Sequence, residues 1–220
     1  MASLNGVRNL LFDLDGTLVD SRKTIVDSIR HALLSEGLDA SSATDVQSLI
    51  GRPLYEIFTG NYGLSRSRAL EAIDVYRDYY DSLDQAGTTV YPGVRDGLAE
   101  LNAAGYRLFL ATVKPTAIAD KVLNDLGLRG HFAGVAGASM GPERREKSAI
   151  IAWALSEYGL EAASSLMIGD RDQDIDGARE NGLPALAVNW GFGGTEEFER
   201  ARPAYRADRF EDIVRLLCPR

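Results

Sequence analysis

Short apolar runs separated by longer amphipathic stretches are the main pattern along this chain. Five runs are too short for helices and are bounded by Gly, Pro, Asp or Thr, which is typical of β-strands; they cover residues 9–12, 107–111, 132–136, 165–168 and 185–188. Helical patterns between them cover residues 93–104, 116–126, 145–158 and 172–181. Because strands alternate with helices, the pattern predicts an α/β fold with a parallel sheet covered on both faces.

One segment interrupts this alternation. Between residues 20 and 89 there is no convincing strand, and the pattern predicts helices at 24–35, 43–49, 54–62 and 66–82. The last of these repeats apolar and aromatic residues at a spacing that suits an amphipathic helix in a bundle. We therefore predict two domains, an α/β core formed by residues 1–19 and 88–220 and a helical domain formed by residues 20–87.

Composition narrows the class of protein. The 220 residues are 45% hydrophobic and 25% charged, an ordinary balance for a globular protein. The formal net charge of −8 argues against a nucleic-acid partner, because phosphate backbones attract clustered Lys and Arg. Cys218 is the only cysteine, so no disulfide can form within the chain.

There is no apolar signal segment and no run near the ~20 residues that span a membrane, so we expect a cytoplasmic protein without a membrane partner.

Two acidic clusters follow predicted strands. Asp13 and Asp15 come directly after the first apolar run, and Asp170 and Asp174 follow the fourth. Like charges this close raise each other's proton affinity unless a cation lies between them, and hard carboxylate oxygens favour Mg²⁺. If the two strands are parallel neighbours, these side chains converge on one pocket that can hold the cation. A simple turn at Asp15, and acidic residues that only solvate a helix start, are the alternatives.

A hydroxyl and a lysine accompany the carboxylates. Thr112 follows the second apolar run, where it could hold a phosphate oxygen or cap the helix that follows Pro115. Lys147 lies near a predicted helix start, where its charge opposes the helix dipole, so a bound phosphate or the acidic cluster would explain it. Simple solvation in the charged run 143–147 is the alternative, and Arg145 competes with Lys147 for the same role.

Together these residues resemble the haloacid dehalogenase (HAD) superfamily. Four segments occur in the order of its motifs: Asp13-x-Asp15-Gly16-Thr17, then Thr112, then Lys147, then Gly169-Asp170-x-x-x-Asp174. The helical insertion after the first segment resembles the C1-type cap of subfamily I. The resemblance covers essentially the whole chain, and it implies a Rossmann-like parallel sheet core with an inserted all-helical cap domain.

The resemblance also implies a Mg²⁺-dependent phosphatase that forms an aspartyl-phosphate. Asp13 would be the nucleophile that attacks phosphorus. Asp15 would protonate the leaving oxygen and then activate water. Thr112 and Lys147 would hold the phosphoryl oxygens and offset their charge in the transition state.

The metal ligands are implied by the same resemblance. Asp170 would bind Mg²⁺ together with Asp13 and the carbonyl of Asp15. Asp174 would support this set of ligands or orient Lys147. The expected metal site therefore comprises Asp13, Asp15, Asp170 and Asp174.

The expected substrate is a small phosphorylated metabolite that the cap would recognise. Arg52 lies in a loop between predicted cap helices and is a candidate for contact with the substrate; an exposed Arg in a polar turn is the alternative. Thr17 and Lys114 are further candidates for substrate contact. The sequence resembles the phosphoglycolate phosphatase-like and 5′-nucleotidase-like branch, while pyrophosphate and sugar phosphates remain open. We expect a monomer or a homodimer.

Two other functions remain open at the level of sequence. A phosphomutase of the same family would use the same aspartyl-phosphate but return the phosphoryl group to a sugar. A receiver-type phospho-acceptor domain would use a similar acidic pocket with a Thr and a Lys. Such a receiver needs neither Asp15 nor a helical insertion.

A glycine-rich segment follows the last predicted strand. Residues 191–194 read Gly-Phe-Gly-Gly, which could suggest a phosphate-binding loop. The segment lacks the Gly and Lys spacing of such loops. We therefore predict a flexible loop beside the site.

Overall fold

The computed structural model describes residues 4, 6–39, 49–50, 52–83, 87–139 and 143–219. The chain divides into two compact units, Met1–Asp20 with Val90–Arg220 and Ser21–Thr89. That the second unit acts as a cap stays a prediction. The predicted helix at 43–49 lies, except for Leu49, outside the described residues.

The second unit is helical in its described part. It contains α1 (Arg22–Ser35), the short α2 (Leu54–Glu56), which continues as a π-helical turn (Ile57–Asn61), and α3 (Arg66–Ser82). Apolar side chains of α1 and α3 are buried, and the two helices pack together. Arg68 of α3 pairs with Glu36 at 2.7 Å, just beyond the end of α1. Helix α3 has the predicted bounds.

A parallel sheet forms the centre of the first unit. The described strands are β1 (Asn9–Phe12), β2 (Val19–Asp20), β3 (Thr89–Val90), β4 (Arg107–Pro115), β5 (Gly134–Ala138), β6 (Ser165–Gly169), β7 (Ala185–Val188) and β8 (Tyr205–Ala207). The order of the main sheet is β5-β4-β1-β6-β7-β8, and neighbouring strands run parallel. Strands β2 and β3 form a separate two-stranded sheet.

Helices cover both faces of this sheet. They are α4 (Val94–Ala103), α5 (Thr116–Asp125), α6 (Lys147–Glu157), α7 (Asp172–Glu180), α8 (Thr195–Ala201) and α9 (Phe210–Leu217). Leu10 and Phe12 of β1 pack in an apolar cluster with α4, α5 and α9, whereas Leu11 packs with α6, α7 and α8. Successive side chains of a strand point to opposite faces, so burial on both faces explains the continuous apolar runs.

Strand β8 and helices α8 and α9 were not predicted from the sequence, and neither were the two-residue strands β2 and β3. Strand β8 has three residues, α8 has seven and α9 has eight, and all carry charged residues. Tyr205 pairs with Leu186 of β7, so the edge of the sheet supplies the partner that makes β8 a strand. No apolar run marks it in the sequence.

Three predicted strands have other limits, and β6 differs only in ending at Gly169. Strand β4 continues past the predicted end at residue 111 to Pro115, which itself is the residue before α5. Thr112 therefore lies within the strand, and its alternative role as a helix cap is wrong. Strand β5 begins at Gly134 rather than at Phe132. Its small residues give little apolar signal, so its limits are hard to predict from the sequence. In the described part of the chain, no helix combines the length and apolar character that crossing a bilayer requires.

Candidate active site

Three neighbouring strands bring polar residues to one edge of the sheet. Phe12, the last residue of β1, pairs with Ile168 of β6 and Leu110 of β4. Asp13 directly follows β1, and its backbone N–H donates a hydrogen bond to the Ile168 carbonyl at 2.9 Å. Asp170 directly follows β6. The parallel register therefore brings the two acidic residues together.

Three carboxylates converge at this edge. Asp13, Asp170 and Asp174 are buried, and an oxygen atom of each lies within 4.8 Å of the others. Asp174 is supplied by the first turn of α7. Asp15 is not part of this group, and the sequence resemblance implies its carbonyl rather than its carboxylate as a metal ligand.

Lys147 is the cation inside the acidic group. Its side chain is 1% exposed, and its Nζ lies 2.9 Å from Asp13 Oδ1 and 2.7 Å from Asp174 Oδ1. It donates a hydrogen bond to the Ala111 carbonyl of β4 at 2.9 Å. Arg145, the competing candidate, is exposed. The carboxylates explain why a lysine begins α6 against the helix dipole.

Asp170 is held by groups from two loops. The Thr17 hydroxyl donates a hydrogen bond to Oδ1 at 3.1 Å, and the Phe192 backbone N–H donates one to Oδ2 at 2.7 Å. Gly16 and Gly191 lie so close that a Cβ on either would overlap this carboxylate. Because the Thr17 hydroxyl is engaged with Asp170, this contact gives no support to Thr17 as a substrate-binding residue, which stays a prediction.

Burial and mutual repulsion change the proton affinities of the group. Burial raises the pKa of Asp174 to about 6; the charge of Lys147 opposes this rise and that of Asp13 adds to it. The pKa of Asp170 is raised well above its usual value, first by burial and then by the charges of Asp174 and Asp13. Burial alone would lower the pKa of Lys147, but the two carboxylates outweigh it and raise this pKa. Three carboxyl groups thus share this site with one lysine, which pairs with two of them, and when ionised they leave an excess of negative charge.

A divalent cation suits this excess of negative charge. Asp13 Oδ1 and Asp174 Oδ1 are buried and lie at ion-pair distance from Lys147. Neither atom accepts a hydrogen bond of good geometry. Carboxylate oxygens are the ligands that hard divalent cations prefer. The residues present therefore suit an ion held by Asp13, Asp170 and Asp174.

Asp15 and Lys114 form a second charged pair in this part of the chain. Lys114 Nζ lies 2.9 Å from Asp15 Oδ2 and 3.1 Å from Oδ1. Thr112 is buried, and its Oγ1 accepts a hydrogen bond from the Lys114 backbone N–H at 3.3 Å. It directly follows Ala111, whose carbonyl binds Lys147, so it lies close to the acidic group. Substrate contact by Lys114 stays a prediction.

Arg52 belongs to the other compact unit. It is exposed, and its backbone N–H donates a hydrogen bond to the Leu49 carbonyl at 3.1 Å. It lies just before α2. Its contact with a substrate stays a prediction.

The segment after β7 has a role that was not predicted from the sequence. It lies beside the site, as predicted, and the backbone N–H of Phe192 bonds directly to Asp170; the flexibility of the segment stays a prediction. Gly191 and Gly193 also lie against Asp170 with no room for a side chain. The repeated glycines after a strand were the available signal, and their purpose is visible only once Asp170 is placed beside them.

Fold and site together define an α/β protein with a buried acidic group at the carboxyl edge of its sheet, where the residues present suit a cation. The family model for haloacid dehalogenase-like hydrolases matches residues 10–188. A 5′-nucleotidase from Pseudomonas aeruginosa is 34% identical over 197 residues, covering 90% of this chain and 89% of that protein. The tyrosine-protein kinase PtkA from Mycobacterium tuberculosis is 36% identical over 87% of this chain, and the match spans 65% of that longer protein.

A solved structure gives the same result for the fold. The crystal structure of a predicted phosphoglycolate phosphatase from Haemophilus somnus superimposes with a TM-score of 0.84 at 25% identity, covering 96% of this chain and 98% of its own. The chain belongs to the haloacid dehalogenase-like hydrolase family. The predicted α/β fold class and the expectation of a hydrolase of the phosphatase type are thereby confirmed.

Proposed function

We propose that this protein is a Mg²⁺-dependent phosphomonoesterase that hydrolyses a small phosphorylated metabolite through an aspartyl-phosphate. The observation that carries the proposal is the buried group of three carboxylates, two of which, Asp13 and Asp174, lie at ion-pair distance from Lys147. Relatives named 5′-nucleotidase and phosphoglycolate phosphatase support a phosphate ester as the substrate.

The first step transfers the phosphoryl group to the protein. A carboxylate oxygen of Asp13 attacks phosphorus and forms a new P–O bond while the ester P–O bond breaks. Asp15 gives its proton to the departing oxygen, so that an alcohol leaves. Lys147 and Thr112 offset the charge on the phosphoryl oxygens. When bound by Asp13, Asp170 and Asp174, Mg²⁺ supplies positive charge that lets an anionic nucleophile meet an anionic phosphate.

The second step returns the protein to its starting state. Asp15, now deprotonated, takes a proton from water, and the water oxygen attacks phosphorus. The bond between phosphorus and Asp13 breaks, and inorganic phosphate leaves. The contact of Lys114 with both Asp15 oxygens supports this second step, because it holds the deprotonated carboxylate in one position.

The helical unit Ser21–Thr89 is the C1-type cap in this proposal. Arg52, exposed in that unit, would contact the part of the substrate beyond the phosphate. The protein would act in the cytoplasm as a monomer or homodimer, with no nucleic-acid partner.

Asp13→Asn tests the mechanism. Asn keeps the size of the side chain but lacks the nucleophilic carboxylate, so we expect phosphate release from p-nitrophenyl phosphate with Mg²⁺ to fall roughly 10⁴-fold or more. Circular dichroism should show a folded protein. Asp125→Asn, at a surface ion pair of α5, is the matched control and should keep full activity. Substantial turnover by Asp13→Asn would contradict the covalent mechanism.

Steady phosphate release also separates this proposal from its alternatives. A phosphomutase would interconvert sugar phosphates with little net phosphate. A receiver domain would hold its phosphoryl group and hydrolyse no small phosphate. A screen should include nucleoside 5′-monophosphates, phosphoglycolate, pyrophosphate and sugar phosphates, with ATP and a tyrosine peptide added because one relative is named a tyrosine kinase.

A further inference from the structure

The carboxylate of Glu197 lies against the turn that carries two proposed metal ligands. Its Oε1 accepts a hydrogen bond from the Asp172 backbone N–H at 2.6 Å and another from Arg171 Nε at 2.9 Å. The side chains of Arg171 and Glu197 are only 16% and 14% exposed, so water screens this ion pair weakly. Both donors lie between Asp170 and Asp174 in the sequence, so Glu197 holds the middle of the turn.

These contacts continue to Asp174 itself. The Arg171 backbone N–H donates a hydrogen bond to Asp174 Oδ2 at 3.0 Å, while Oδ1 lies 2.7 Å from Lys147 Nζ. The Asp172 N–H is in the first turn of α7 and has no acceptor within the helix. An outside carboxylate satisfies this N–H and is favoured by the helix dipole. Glu197 thus fixes the turn of helix that presents Asp174.

The same stretch of chain also holds Asp170. Phe192 donates its backbone N–H to Asp170 Oδ2, and Gly193 lies against the Asp170 carbonyl with no room for a side chain. Residues 192–197 therefore contact the beginning and the middle of the turn. Three buried carboxylates repel one another, so such restraints oppose their separation.

We propose that Glu197 is a positioning residue for the metal site. Its two bonds hold the turn at residues 170–174 so that the carboxylates of that turn bind a divalent ion together with Asp13. The inference rests on the proposed function, because it takes the acidic group to be a metal site. Glu197 lies outside the group of three carboxylates, and its own charge is balanced by Arg171.

Mg²⁺ binding to two variants tests this role. Glu197→Ala removes both bonds, whereas Glu197→Gln keeps an acceptor for the Asp172 N–H and loses the charge that faces Arg171. We expect the Kd for Mg²⁺, measured by isothermal titration calorimetry without substrate, to rise roughly 10- to 100-fold in the Ala variant and less in the Gln variant. Glu199→Gln is the matched control, since this exposed residue of the same helix should leave the Kd unchanged.

The outcomes separate this role from the proposed function. Weaker Mg²⁺ binding, with a kcat that recovers at saturating Mg²⁺, supports a positioning role because the reacting groups are intact. If the Ala variant binds Mg²⁺ like the wild type, the role is wrong and the proposed function stands; if the Ala variant does not fold, the Gln variant decides in the same way. A wild-type protein that neither binds Mg²⁺ nor releases phosphate overturns the proposed function and this role with it.

Discussion

Lys147 is the residue on which the acidic group depends most directly. It contacts Asp13 and Asp174 while Asp170 lies buried within the same group. Breaking a buried ion pair by removing one partner leaves uncompensated charge in a medium that solvates it poorly. We therefore expect the lysine to support the stability of the core and, in the proposed function, the chemistry of the site.

Lys147→Met is expected to reduce both the stability of the protein and its phosphatase activity. Without Mg²⁺, the free energy of unfolding should fall by about 3–5 kcal/mol in urea denaturation, because the carboxylates lose their counter-charge. Phosphate release should fall roughly 10²-fold or more, since a cation that offsets charge in the transition state is lost. Lys121→Met, at an exposed pair with Asp125 on α5, is the control and should change stability by less than about 1 kcal/mol. Equal stability of the two variants would refute this role for Lys147.

At the scale of elements, the segment after β7 packs directly against the turn after β6. A Cβ at Gly191 would overlap the Asp170 carboxylate and the Gly16 carbonyl, whereas a Cβ at Gly194 would have nothing within 4 Å. The two glycines are close in sequence, but only one of them has room for a Cβ. They therefore offer a matched pair of substitutions.

Gly191→Ala should weaken the metal site, and Gly194→Ala should not. Overpacking of this kind costs about 1–3 kcal/mol, and here the displaced group is Asp170. We expect the Mg²⁺ concentration for half-maximal phosphate release to rise roughly tenfold or more for Gly191→Ala. A Mg²⁺ titration of activity with both variants measures this. Identical titrations would mean that the close approach of the segment to Asp170 is unimportant.

At the scale of the whole molecule, the proposed metal site would link metal binding to folding. Asp13 follows β1, Asp170 follows β6 and Asp174 lies in α7, so the carboxylates meet only in the folded chain. A ligand that binds only the native state stabilises it by an amount that grows with its concentration. Folding of the first unit and occupation of the site should therefore be coupled.

Mg²⁺ is accordingly expected to raise the melting temperature. At a free concentration of roughly 100 times its Kd, the gain in unfolding free energy should be about 2.7 kcal/mol. Differential scanning calorimetry with Mg²⁺, against EDTA and NaCl at equal ionic strength, separates binding from screening. Asp170→Asn should reduce the Mg²⁺-dependent rise. Equal melting temperatures of the wild type in Mg²⁺ and EDTA would exclude a metal coupled to the fold.

Much of the core architecture was predictable from local patterns. β1 and β7 have the predicted bounds, and α3 agrees as well, because their apolar residues are buried and regularly spaced. Strand β8 could not be predicted, since its strand state depends on pairing with β7 rather than on its own residues. The extension of β4 likewise depends on its neighbour, because Thr112 pairs with Gly137 of β5.

By itself, the sequence determined the α/β class and the residue types at the strand ends, because periodicity and turn residues are local properties of the chain. Only the tertiary structure decided which of these residues meet. It selected Lys147 over Arg145 at the carboxylates and paired Lys114 with Asp15. It also brought Glu197 to the turn after β6. Contacts between residues so distant in sequence depend on strand order and register, which no local pattern encodes.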